Sequence, residues 1–84
     1  MERKEIESKV KSFFIDELEL EADDIRDDAR LKEDLGLESL DFVDIVVIVE
    51  NTFGFKIKLE EMSNVQTVKA FYDYIETKLL ITNY

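Results

Sequence analysis

Eighty-four residues make one small domain, with enough apolar content, 45%, for a single core but not for a cleft between two lobes. A formal charge of -10, from 21 acids against 11 bases, argues against nucleic acid as a partner, because phosphate binding needs clustered Lys and Arg. With no Cys, His or Trp, the chain has no disulfide, thiolate nucleophile, soft metal site or imidazole base, which removes the usual actors of hydrolytic and redox chemistry.

The N-terminal Met1-Glu2-Arg3-Lys4-Glu5 mixes charges and leads into an amphipathic pattern, not a secretory signal, so a cytoplasmic location is expected. Ile6, Val10, Phe13, Phe14 and Leu18 then recur at helical spacing and predict a first helix over about residues 2 to 17. Residues 19 to 37 read as a long acidic loop, in which Leu20, Ile25, Leu31 and Leu35 have no regular period and pin the segment to the core one by one. From Asp23 this loop fails the calcium-loop pattern: Ile25 stands at the third position and Asp28 at the sixth, where glycine is needed. No metal site is expected.

A second helix is predicted over Ser39 to Phe53 with two apolar stripes. At 100° per residue Phe42, Ile45, Val46, Val49 and Phe53 share one face, while Leu40, Val43 and Val47 lie roughly opposite. A domain of this size has too few other elements to cover both, so the second stripe is expected to stay partly exposed among carboxylates. Gly54 is the expected C-cap, Phe55 to Leu59 alternates apolar and charged residues in a short extended stretch, and Glu60 to Asn64 forms one helical turn. Val68, Phe71, Tyr72, Ile75 and Leu79 describe a last helix capped by Thr67. The longest apolar run, Ile45 to Val49, is far too short to span a membrane. The expected architecture is all-α, a helical bundle of three main helices and one short one, in a single domain over residues 1 to 84, and nothing calls for more than a monomer.

The run Asp34-Leu35-Gly36-Leu37-Glu38-Ser39-Leu40-Asp41 sets a serine between a glycine turn and the second helix. Taken alone, such a serine is most often a helix cap; with Glu38 before it, Ser39 fits the first helical position, and Glu38 or backbone takes the cap. A phosphate ester on Ser39 would meet the free N–H groups and positive dipole end of that helix. Nucleophilic catalysis is disfavoured, since Glu33 to Phe55 holds six acids and no Lys or Arg, and nothing in the spacing brings Lys32 or Lys56 to the serine.

These residues, with the helix to Phe53 and the Thr67-Val68 start of the last helix, resemble the acyl carrier protein family over nearly the whole chain. The resemblance implies a four-helix bundle with a long first loop and a non-catalytic carrier, in which Ser39 bears a covalent 4'-phosphopantetheine arm whose thiol holds acyl groups as thioesters. It also implies as partners a phosphopantetheinyl transferase and the acyl-transfer, condensing and tailoring enzymes of fatty-acid or related lipid biosynthesis, which dock through basic patches. Leu40, Val43 and Val47 would make the short-range contact, and Glu38, Asp41, Asp44 and Glu50 the acidic collar that steers encounter. The core stripe Phe42, Ile45, Val46 and Val49, with Ile57, Met62, Phe71 and Ile75, is where an acyl chain would insert, narrowed to short cargo by Phe42 and Phe71. Two departures, Glu38 in place of the family's Asp and a less acidic, more apolar second helix around Ile48 and Asn51, point to a second reading behind this one, a carrier of a specialised polyketide, aminoacyl or unusual-lipid route. An unmodified acidic helical adaptor is the alternative from another class.

Overall fold

A computed structural model describes residues 1–82. In chain order it contains helix α1 (Arg3–Asp16), a short 3₁₀ turn (Ala22–Asp24), helix α2 (Ser39–Phe53), a second 3₁₀ segment (Leu59–Asn64) and helix α3 (Val68–Thr82). The all-helical class and the three main helices stand as expected. The first 3₁₀ turn is additional, and the short helical element is a 3₁₀ segment one residue longer than its sequence pattern indicates.

The i, i+4 and i+7 spacing of α1 buries Ile6, Val10, Phe13 and Phe14. Leu18 lies beyond the helix and is half-buried against the core. The helix closes with the Glu17 N–H donating to the Phe13 carbonyl at 2.8 Å, and Glu19 then turns the chain in the left-handed region at φ 56°. There the Leu20 N–H reaches back to the Phe14 carbonyl at 3.0 Å, which satisfies an acceptor the helix end leaves open.

The long first loop is held by side chains and by backbone. Ile25, Ala29, Leu31, Leu35 and Leu37 are buried. The Leu31 N–H donates to the Gln66 carbonyl at 2.8 Å, and the Val68 and Lys69 N–H groups donate to the carbonyls of Ala29 and Asp27, each at 3.0 Å. An isolated antiparallel bridge joins Arg30 to Thr67. The loop is therefore stitched to the start of α3 without forming a sheet.

Helix α2 ends at Gly54, whose φ of 82° suits a residue without a side chain and whose N–H donates to the Glu50 carbonyl at 3.0 Å. Phe55 and Ile57 point into the core while Lys56 and Lys58 stay exposed, as the alternation predicts. The Thr67 hydroxyl caps α3 by accepting the Ala70 N–H at 3.1 Å. Between α1 and α3, Phe14 stacks on Phe71 at 5.8 Å between centroids, and Phe13 meets both rings edge-on. Arg3 also joins the two helices, bonding Asp73 at 2.7 Å and Glu76 at 3.1 Å as well as Glu7 in its own helix. The second 3₁₀ segment is tied to α3 by the Tyr74 hydroxyl, which donates to Glu61 at 2.6 Å, and by Lys78, 3.2 Å from the same oxygen.

Candidate functional site

The site begins with the way α2 starts. Leu35 and Leu37 are buried on either side of Gly36, whose φ of 69° lets the chain turn sharply between the two anchors. Upstream, the Asp34 carboxylate accepts the Arg30 N–H at 2.8 Å and the Arg30 guanidinium at 3.3 Å. The backbone N–H first and the guanidinium second hold the Asp34 carboxyl below the usual carboxylate range. The approach to Ser39 is thus fixed by two apolar pins, one turn and one charge-assisted clamp.

Glu38 occupies the N-cap and Ser39 the first helical position, as the local sequence implies. The Asp41 carboxylate reaches back to accept the Glu38 N–H at 2.8 Å, and the Asp41 N–H donates to the Glu38 carbonyl at 2.9 Å. This ties the Asp41 side chain to the backbone one residue before the serine. Ser39 itself is exposed, and among the described residues its hydroxyl and the N–H groups of Ser39 and Leu40 have no hydrogen-bond partner. Two free donors and the positive end of α2 therefore stand beside a reachable hydroxyl.

Beside Ser39 opens a depression of about 150 Å³, lined also by Lys32, Phe42, Leu59, Met62 and Ser63. Its walls are the end of the first loop, the first turn of α2 and the second 3₁₀ segment. Of the residues expected to form a cargo cavity, Phe42 and Met62 line this depression, whereas Ile45, Val49, Phe71 and Ile75 are fully buried. Val46 is half-buried and Ile57 is buried. Sequence reasoning missed Lys32, Leu59 and Ser63 here. The signal for Lys32 was its place as the last base before the acidic stretch, but its fold-back onto Phe42, 5.8 Å from ammonium to ring centroid, is a tertiary contact.

On the outer face of α2, Leu40, Val43 and Val47 are 77%, 45% and 52% exposed, which settles the question of the second apolar stripe in favour of exposure. Glu38, Asp44 and Glu50 are exposed around it and Asp41 is half-buried. None of the four carboxylates forms an ion pair among the described residues. Asp44 and Val47 also line, with Glu17, Leu18 and Ile48, a second depression of about 260 Å³ between the end of α1 and the middle of α2. An apolar strip with a negative rim suits a partner carrying a basic rim around an apolar centre. Among the described residues no cluster of acids is arranged to hold a metal ion, and no helix is long and apolar enough to cross a membrane.

The arrangement offers an attachment point: an exposed serine hydroxyl with no hydrogen-bond partner among the described residues, beside backbone donors placed for an ester anion. Residues 8–75 match the family described as a phosphopantetheine attachment site. The chain is 40% identical over 77 residues to an acyl carrier protein of Thermotoga maritima, covering 92% of this chain and 95% of that protein. It is 38% identical over 79 residues to an acyl carrier protein of Coprothermobacter proteolyticus, covering 94% of this chain and 96% of the other.

Proposed function

Because the chain belongs to the acyl carrier protein family, we propose that Ser39 is the residue that takes its 4'-phosphopantetheine and that the exposed face of α2 receives its partner enzymes. The family is one of carriers, not catalysts, and its prosthetic group supplies the thiol on which acyl groups ride as thioesters. The observation that carries the assignment is local: Ser39 is an exposed hydroxyl at the first position of α2, beside two unpartnered backbone N–H groups and next to an open depression. A phosphodiester at that oxygen meets the favourable end of the helix dipole.

The division of labour around Ser39 follows from charge and exposure. Leu40, Val43 and Val47 give apolar contact area, and Glu38, Asp41, Asp44 and Glu50 provide the long-range field that speeds encounter with basic patches on a phosphopantetheinyl transferase and on acyl-transfer, condensing and tailoring enzymes. Such docking is fast and weak, as a carrier that visits several enzymes in turn requires. The whole of residues 1 to 84 acts as one monomeric domain in the cytoplasm. The carrier serves fatty-acid or related lipid biosynthesis; a specialised polyketide, aminoacyl or unusual-lipid route is the second reading, for which Glu38 in place of Asp and the more apolar α2 speak.

Incubation with coenzyme A and a broad-range phosphopantetheinyl transferase, followed by intact mass measurement, tests the assignment. The expected result is a gain of one phosphopantetheine unit that Ser39→Ala abolishes. A gain that survives Ser39→Ala refutes the site, and no gain with any transferase supports the unmodified adaptor.

A further inference from the structure

Six residues line the depression beside Ser39, and one of them is charged: Lys32. Its ammonium lies over the face of Phe42, 5.8 Å from the ring centroid, and among the described residues it forms no ion pair. It is also the last base in the chain before Lys56, so no cation on α2 itself serves Ser39. The charged side chains nearest Ser39 along the chain, Glu38 and Asp41, are both acidic. A phosphodiester formed on the Ser39 oxygen thus carries its negative charge into a field that opposes it, relieved by the helix end and by one side chain held in place on an aromatic ring.

We propose that Lys32 is a positioning residue for the prosthetic group: it pairs with the phosphodiester on Ser39 and turns the pantetheine arm into the depression bounded by Phe42, Leu59, Met62 and Ser63. This rests on the attachment at Ser39 argued above. The depression continues past Lys32, Met62 and Ser63 into a more polar neighbour of about 250 Å³ that reaches Gln66 and Arg30, so the path open to the arm runs between the first loop and the second 3₁₀ segment, outside the helical core. Its walls offer what an amide-bearing chain requires: apolar surface from Phe42, Leu59 and Met62, and a hydroxyl from Ser63. The cation–π seat keeps the ammonium at the mouth before the arm is attached, which lowers the ordering cost of the contact.

The test compares amide spectra of the apo and phosphopantetheinylated full chain for wild type, Lys32→Ala and Lys32→Arg, with intact mass confirming modification of each sample. In wild type the Met62 and Ser63 amides shift on modification. In Lys32→Ala they keep their apo positions while the Ser39 and Leu40 amides still shift, and Lys32→Arg restores the wild-type response. Raising the salt concentration should shrink the Met62 and Ser63 shifts in wild type, since the contact is an ion pair at an exposed site. Equal Met62 and Ser63 shifts in wild type and Lys32→Ala overturn the role of Lys32 and leave the carrier assignment standing. Absence of any mass gain in wild type overturns both.

Discussion

Tyr72 is fully buried, yet its hydroxyl has no hydrogen-bond partner among the described residues, and replacing it with phenylalanine should stabilise the protein. An unsatisfied buried hydroxyl costs about 1–3 kcal/mol of desolvation, and the small void left by removing one oxygen costs under about 1 kcal/mol. The ring stays in place under the Arg3 guanidinium, 5.5 Å from its centroid, so that contact survives. The net expectation for Tyr72→Phe is about 1 kcal/mol of added stability, or a Tm higher by about 4–8 °C in a domain of this size. Alkaline titration gives an independent reading. Burial, then the charges of Glu7 and Asp27, push the Tyr72 phenol up from 10.0 to about 12. The unfolded chain therefore loses this proton first as pH rises, and the wild type sheds roughly 2–3 kcal/mol between pH 10 and 12 that Tyr72→Phe retains. Tyr74, raised by burial and by its bond to Glu61, keeps contributing to the slope in both proteins. Urea unfolding at pH 7 and again at high pH measures each effect. A lower urea midpoint at unchanged m for Tyr72→Phe, or an unchanged alkaline slope, would refute the reasoning.

Of the three positions in the left-handed backbone region, two make a contrasting pair: Gly54→Ala should lose about 1 kcal/mol through strain alone, since no atom lies within 4 Å of the added carbon, whereas Glu19→Gly should gain up to about 1 kcal/mol; thermal unfolding of both checks the pair. Added salt should raise the Tm, because screening weakens repulsion among 21 acids, ten of them between Asp16 and Asp34, and a flat response from about 10 to 100 mM would count against self-repulsion as a significant cost. Val47→Ser, on the exposed strip, should change stability by under about 0.5 kcal/mol while weakening transferase binding by about 1 kcal/mol, roughly fivefold, in a titration of the two proteins. Unchanged affinity would remove Val47 from the docking face.

The amino-acid order alone determined the helices and the sidedness of α2, because both are consequences of a 3.6-residue repeat: one stripe is buried through Phe42, Ile45 and Val49, and the other is exposed at Leu40, Val43 and Val47. It also placed Ser39 at a helix start and named Gly54 and Thr67 as caps, since capping is read by neighbours within four residues. What it did not carry were contacts between segments distant along the chain. The bonds from the Ala29 and Asp27 carbonyls to the start of α3 have no local signature, nor does the Arg30–Thr67 bridge, and the three-residue 3₁₀ turn is too short to have a period. Tertiary structure decided that the long first loop is a stitched element, that Tyr72 is buried with its hydroxyl unpaired, and that Lys32 folds back beside Ser39. Periodicity fixes which face of an element is apolar; only packing fixes which charged side chain from elsewhere comes to rest beside it.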